Sequence, residues 1–408
     1  MTALACAALI AAVPASDPVP VEIVQTGNGY ALMRDGEPYF VKGAGAFDRL
    51  EELKAAGANS IRTWGSGPDT DPLLNKAHAL GLTVTVGIWL AKKEHGFDYN
   101  DPAQVQAQFE AAKRDVLRLR NHPALLMWAV GNEMELGNET PEMWKAVEHI
   151  AAMIRREDPD HPVMSVLADM WPSKMEGLLK YCPSLHALGI NSYGGLPTLH
   201  ERMRDWRRPY FITEYSHPTP GQFGKTPWDA AIEPSSAQKG ELALANYRRS
   251  ILGFPGRVLG SYFFHWSRSD FATSGWYSAF LKSGEKTSTV DAMTKAWSGE
   301  WPKNRAPEIV FMSPSQVETK PGESVRVRIR TRDADQDSLS LTYEVSSDDP
   351  SKRFVGDHEQ SMPVISSGPA SGSFAVRAPS EPGTYRILVV ARDGKGGGAT
   401  ASASLHVR

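Results

Sequence analysis

Two glutamates stand where apolar runs stop. Glu133 closes Trp128-Ala129-Val130-Gly131-Asn132-Glu133, and Glu214 closes Phe211-Ile212-Thr213-Glu214. A strand that ends on a carboxylate carries that group to the rim of a sheet or barrel. Two such groups facing each other can break a glycosidic bond: one protonates the leaving oxygen while the other attacks the anomeric carbon or activates water. Either glutamate alone reads equally well as a structural hydrogen-bond partner. The pair, on separate strand ends, is what points to catalysis.

Other strand ends supply groups that would serve such a pair. Asn59-Ser60-Ile61-Arg62 ends on Arg62, whose fixed charge can hold a neighbouring carboxylate ionised and oriented. Gly189-Ile190-Asn191-Ser192-Tyr193 brings Asn191 and the Tyr193 phenol, a donor to the same carboxylate. Asn132, beside Glu133, is placed to bond a sugar hydroxyl. Trp266, in Phe264-His265-Trp266, is expected to form the floor under a sugar ring, with Trp64 and Trp89 as further platforms and Trp171, Trp228 and Trp276 as weaker ones. The segment from Ser216 to Pro234 is long enough for a substrate wall. His95 and His265 read as structural histidines, and Glu135 as a loop residue.

The elements that must position these groups repeat. Between residues 20 and 300, short β-branched runs alternate with amphipathic helical patterns, and eight such units follow an opening hairpin with a Gly27-Asn28-Gly29 turn. The expected strands are Tyr39–Gly43, Asn59–Trp64, Leu82–Leu90, Leu125–Gly131, Val163–Leu167, Ala187–Asn191, Tyr210–Thr213 and Val258–Trp266. Eight units over roughly 250 residues fit a (β/α)8 TIM barrel, which puts its chemistry at the C-terminal ends of its strands. Strands four and seven then lie across the mouth from one another. After a linker at Trp301–Pro307 the texture changes to alternating apolar and polar residues, as in Ser324-Val325-Arg326-Val327-Arg328-Ile329-Arg330. Residues 306–408 therefore read as a small all-β immunoglobulin-like sandwich. The class is α/β, with the barrel first and the sandwich at the C-terminus.

Composition removes several alternatives. The 408 residues carry 44 Lys plus Arg against 47 Asp plus Glu, so there is no cationic excess for a nucleic-acid partner. Two cysteines, Cys6 and Cys182, exclude a disulfide framework and a cysteine-ligated zinc site. No metal-ligand set or cofactor motif is recognisable. Asp333-Ala334-Asp335-Gln336-Asp337 spaces three carboxylates as some calcium loops do, but reads as a solvated turn. Residues 3–13 form an apolar run before Pro14-Ala15-Ser16, so residues 1–15 are expected to be a signal peptide and the protein secreted or periplasmic. No stretch is long and apolar enough to span a bilayer.

The segment Arg118-Leu119-Arg120-Asn121-His122-Pro123-Ala124-Leu125-Leu126-Met127 running into Trp128–Glu133 closely resembles the acid/base segment of glycoside hydrolase family 2, in the wider clan A of retaining glycosidases. Gly36–Gly43, Ala58–Arg62, Ala79–Val84, Gly189–Tyr193 and Arg208–Tyr215 resemble that family's other landmarks in the same order. The resemblance covers about residues 36–300 and implies Glu133 as acid/base, Glu214 as nucleophile and net retention at the anomeric carbon. Two loops depart from the pattern. Ala44-Gly45-Ala46-Phe47-Asp48 replaces an Asn, His and acidic cluster, and Thr63-Trp64-Gly65 replaces a Ser-His pair. Both loops shape the subsite of the non-reducing sugar, so the family's galactosidase, glucuronidase or mannosidase specificities do not carry over. The expected partner is a β-linked oligo- or polysaccharide. A transglycosylase using the same intermediate, and a non-catalytic carbohydrate-binding protein, are the alternatives.

Overall fold

The computed structural model describes residues 18–267, 275–348, 364–366 and 371–408. The expected signal peptide and Cys6 lie outside them. The chain opens with an antiparallel hairpin, β1 (Val21–Thr26) and β2 (Gly29–Arg34), extended by the short β3 (Glu37–Pro38). Eight parallel strands follow: β4 (Val41–Gly45), β5 (Ser60–Arg62), β6 (Thr83–Ile88), β7 (Leu125–Asn132), β8 (Val163–Ala168), β9 (Ala187–Asn191), β10 (Tyr210–Tyr215) and β11 (Val258–Phe263). They close into a barrel in sequence order, with β11 pairing back onto β4. The expected TIM barrel is therefore present.

Helices alternate with these strands: α1 (Leu50–Ala55), α2 (Thr70–Ala79), α3 (Pro102–Leu119), α4 (Pro141–Glu157), α5 (Pro172–Tyr181), α6 (Leu199–Arg202), α7 (Ser236–Asn246) and α8 (Ser288–Ser298). Their starts follow local chemistry. Asp101 accepts from the backbone amides of Ala103 and Gln104 ahead of Pro102, Thr140 accepts from Met143 ahead of Pro141, and Ser235 forms a reciprocal cap with Gln238. The buried faces of α3 and α4, with Phe109, Val116, Val147, Ile150 and Ile154, pack over strands whose own residues are buried on both sides. No helix among the described residues is long and apolar enough to cross a membrane.

The hairpin closes the bottom of the barrel. The Val21 amide donates to Asp160 O, Tyr30 N to Gly256 O and Arg34 Nη2 to Pro123 O, all on segments that lead into barrel strands. Gly29 and Gly256 meet so closely that a Cβ on Gly29 would lie 2.5 Å from Gly256 O. Above this plug the interior is polar and bonded: the fully buried Tyr262 shares hydrogen bonds with Ser60 (3.1 Å) and Thr85 (2.5 Å), in space left by the missing side chain of Gly43. All the chemistry-bearing strand ends lie at the opposite mouth.

Several boundaries differ from expectation. The first strand starts two residues later, at Val41, and the eighth stops at Phe263, three residues before Trp266. The helix between β9 and β10 is short, with α6 only one turn of α-helix after a 3₁₀ turn at Leu196–Thr198. The segment from Ser216 to Pro234 is anchored by a Lys225–Ala231 bridge and by the C-terminal sheets.

Those sheets are β12–β14–β17 (Glu308–Pro314, Ser324–Arg332, Ser371–Arg377) and β13–β19–β18–β15–β16 (Glu318–Thr319, Gly398–Val407, Gly383–Arg392, Ser340–Ser347, Val364–Ser366). The strict alternation of β14 sends Val325, Val327 and Ile329 inward and its arginines outward. The sheets dock on the barrel. Trp228 Nε1 donates to Ser404 Oγ (3.0 Å) with its indole stacked on His406, and Thr400 N donates to Ser236 Oγ (3.0 Å). Arg386 is the deepest anchor: buried, it pairs with Asp348 (2.7 Å) and donates to Ala231 O (2.8 Å). Replacing Arg386 with Ala strips a buried carboxylate of its guanidinium partner, and we expect a loss of about 3–5 kcal/mol in urea unfolding followed by tryptophan fluorescence.

Candidate active site

Glu214, near the end of β10, is 6% exposed and accepts three hydrogen bonds. Arg62 Nη1 (2.9 Å) and Trp64 Nε1 (2.7 Å) donate to its Oε1, and the Tyr193 hydroxyl (2.8 Å) donates to its Oε2. Arg62, at the end of β5, is fully buried and spends its other bonds on Thr213 O (3.2 Å) and Asn132 Oδ1 (2.6 Å). The guanidinium therefore ties β5 to the ends of both β7 and β10. Burial, and next the charge of Glu214, hold the Tyr193 phenol well above its usual pKa, so it remains a neutral donor.

Glu133 lies one residue beyond β7 and is half-buried. The pairing of β7 with β8 skips a residue between Val130 and Asn132, and Gly131 (φ 72°) and Glu133 (φ 54°) both take left-handed backbone conformations. The Glu133 amide rejoins the sheet by donating to Val166 O (2.9 Å). A non-glycine residue in this region carries strain, which recurs at active sites. Its carboxylate accepts from Asn191 Nδ2 (2.9 Å), and Asn191 is itself fixed by Thr213 Oγ1 (2.8 Å) and bonds Asn132 Oδ1 (3.1 Å).

The two carboxylates thus share one network but not one environment. Burial first, and the charge of Glu214 second, raise the pKa of Glu133, opposed by the Asn191 hydrogen bond and the Lys92 charge. Glu214 has three donors, including a guanidinium, whereas Glu133 has one neutral amide. This asymmetry suits one group to be a proton donor and the other an ionised nucleophile.

The structure brings Arg62, Trp64, Asn132, Glu133, Asn191, Tyr193 and Glu214 together and moves others away. Trp266 is a correction: it is fully buried, donates to Arg49 O (3.3 Å) and packs on Phe280 and Trp297, so it forms no floor. β11 stops early, and the residue of this segment that reaches the site is Phe264, edge-on to both Trp64 (5.8 Å) and Tyr193 (6.0 Å). Trp228 is held by the C-terminal sheets, and Trp276 is buried against Pro218, so neither is a platform. Trp89 is 48% exposed beside Gly65, and Phe47, 54% exposed, lies 5.6 Å from Trp64. Trp171 is exposed under the Arg202 guanidinium. His265 lies 5.6 Å from Trp64, and burial lowers its pKa, which keeps it neutral. His95 is on the surface.

Sequence reasoning missed Phe47, Phe264, Thr213 and Tyr277, which packs on Tyr193 at 5.5 Å. It also left Glu135 to the loop. Glu135 is buried on Lys174 Nζ (2.8 Å) and Ala168 N (2.8 Å), bracing the turn that carries Glu133. A carboxylate two residues beyond Glu133, followed by a lysine near the next strand's end, was the available signal.

Residues 48–284 match the model of glycosyl hydrolases family 2, TIM barrel domain. The chain belongs to this family. Its placement in the retaining clan A follows. A curated family relative, the β-glucuronidase of Paenibacillus borealis, is 27% identical over 46% of this chain and 37% of its own length. Among solved structures, a β-glucuronidase from an uncultured Clostridium species is 18% identical and covers 69% of this chain and 54% of its own, with TM-score 0.52. A Ruminococcus gnavus β-glucuronidase bound to uronic deoxynojirimycin is 15% identical over 68% of this chain and 52% of its own, with TM-score 0.54. The family barrel is thus shared at the level of fold, and the chain spans between about a third and a half of these relatives.

Two variants test the site. Gly45 leaves room for the Trp64 indole, since a Cβ there would sit 2.5 Å from Trp64 Cη2. Gly45→Ala should therefore push the indole off Glu214 and lower kcat/KM about 10- to 100-fold, the worth of a hydrogen bond to a charged group, with the melting curve little changed. Glu133→Gln removes the carboxyl whose folded pKa is raised. The wild-type stability tied to that group is full at low pH and declines as pH rises through its folded pKa, so the variant should match wild type in acid and exceed it at neutral pH in parallel urea titrations.

Proposed function

We propose that this chain hydrolyses β-linked glycosides by double displacement. Glu214 attacks the anomeric carbon while Glu133 protonates the departing oxygen, and Glu133 then deprotonates the water that releases the glycosyl-enzyme. The observation that carries this reading is the unequal solvation of two carboxylates in one hydrogen-bonded network: three donors on Glu214, one amide on Glu133. Esterifying Glu214 removes its negative charge, which relaxes the pKa of Glu133 and prepares it to act as a base in the second step.

The substrate we propose is a β-linked oligo- or polysaccharide met by an aromatic wall. Phe47, Trp64, Phe264 and Trp89 line the ends of neighbouring strands, and the exposed faces of Phe47 and Trp89 suit sugar stacking. The activity for which the relatives are named makes a β-glucuronide the first sugar to test. Both terminal nitrogens of Arg62 are bonded to protein groups and its Nε is buried, so a uronate would draw on Lys92, whose charge acts on Glu133. Export, as the apolar run at 3–13 suggests, fits an extracellular glycan.

The test is a screen of wild type and Glu214→Ala, with and without azide, on aryl β-glucuronides, β-galactosides, β-glucosides and β-mannosides and on β-linked polysaccharides. Wild type should release product of retained configuration from one class. Azide should partly rescue the variant and give a glycosyl azide of inverted configuration. Release of an inverted product by wild type, or glycan binding without turnover, would overturn the assigned roles.

A further inference from the structure

We propose that the acidic turn at the seam between barrel and sandwich is a calcium site, with Asp333, Asp337 and Asp393 as its protein ligands. Asp333 and Asp337 lie between β14 and β15, and Asp393 begins the loop from β18 to β19. One carboxylate oxygen from each lies within 4.8 Å of the other two. Asp335 stands between the first two, held by a bond from the Arg305 amide (2.7 Å).

The turn is solvated at Ala334, Asp335 and Gln336, as expected from the sequence, but Asp333 and Asp337 each turn one oxygen inward. The Asp337 side chain is 9% exposed, and its Oδ2 is inaccessible and accepts no hydrogen bond; Oδ2 of Asp333 is in the same condition. Asp393 is 5% exposed. The cation at hand is Lys395, whose ammonium donates to Asp337 Oδ1 (2.5 Å) from a side chain that is 62% exposed. One solvated ammonium against four carboxylates leaves two buried oxygens bare, each at a cost of kilocalories. A divalent cation bonded to those oxygens removes that cost. Carboxylate oxygens from separate loops suit the six to eight flexible contacts of calcium better than the strict octahedron of magnesium, which keeps most of its waters.

The location gives such an ion a role. Asp393 Oδ2 accepts from Asn304 Nδ2 (3.1 Å) in the linker, and the same loop exchanges backbone bonds with Lys286 beside α8: Lys286 N to Gly396 O (3.0 Å) and Gly398 N to Lys286 O (2.8 Å). An ion at the three aspartates would fasten β14–β15 to the loop that already grips the linker and the barrel.

The experiment is calorimetric titration of CaCl2 into the full chain after chelator treatment and dialysis, with thermal unfolding in parallel. Wild type should bind one calcium with a dissociation constant in or below the range of about 10⁻⁴–10⁻³ M typical of extracellular modules, and calcium at about 10 mM should raise the unfolding temperature by a few degrees. Asp333→Asn and Asp337→Asn should each weaken binding about tenfold or more, and magnesium should bind more weakly than calcium. Lys395→Ala, which removes the competing ammonium and leaves every ligand in place, should tighten it. Absence of saturable heat and of a thermal shift in wild type would overturn the proposal. So would binding that neither aspartate variant weakens, or that Lys395→Ala abolishes.

Discussion

A guanidinium buried at the mouth of the barrel is the interaction on which the site depends. Arg62 reaches from the end of β5 to Glu214 and Thr213 on β10 and to Asn132 on β7, and those bonds hold two strand ends in a fixed relation. Two carboxyl groups brought together in a poorly solvated cleft do not both ionise readily, and a fixed positive charge beside one of them favours its ionised form over the other's. The rest of the barrel serves that arrangement. Gly45 admits the Trp64 indole and Gly87 the backbone that carries it, the polar layer of Ser60, Thr85 and Tyr262 supports the strand ends from below, and the N-terminal hairpin seals the base.

The proposed division of labour follows from which glutamate receives the guanidinium. Glu214 is held by charge and by two aromatic donors, so its orientation is set before any substrate arrives. Glu133 sits on a bulged, left-handed turn and meets the network only through Asn191. Buried Glu135 and Lys174 brace that turn from behind, which leaves Glu133 with little solvation of its own. A pKa for Glu133 raised above that of an ordinary carboxyl group is the electrostatic outcome.

The barrel was legible because short β-branched runs alternate with amphipathic helical patterns and its strands end on informative residues, local signals that survive folding. The glutamate pair, Arg62 and Tyr193 were legible for the same reason, since each stands where an apolar run stops. Trp266 was misplaced because strand length is not encoded by apolar character alone: Phe264-His265-Trp266 continues the hydrophobic run after β11 has left the barrel. Trp228 and Trp276 looked like platforms because a tryptophan in a loop carries no mark of what will cover it, and here the covering surfaces are the C-terminal sheets and Pro218. The network through Thr213 and Asn191 was invisible for a further reason: side-chain bonds between parallel strands depend on barrel register, which no single segment records.

The left-handed backbone at Glu133 sets fold and chemistry in opposition at one codon. For folding alone, glycine is the natural occupant of a φ of 54°, with asparagine next, and the proposed acid/base role is the reason for glutamate to stand there. Once selection for turnover lapses, drift at this position has a preferred direction. Relatives that keep the barrel but have abandoned catalysis would accumulate glycine or asparagine here, while Arg62, whose loss would unravel the strand ends, stayed in place. If the proposed role of Glu133 holds, the residue at this one position would separate working barrels from retired ones.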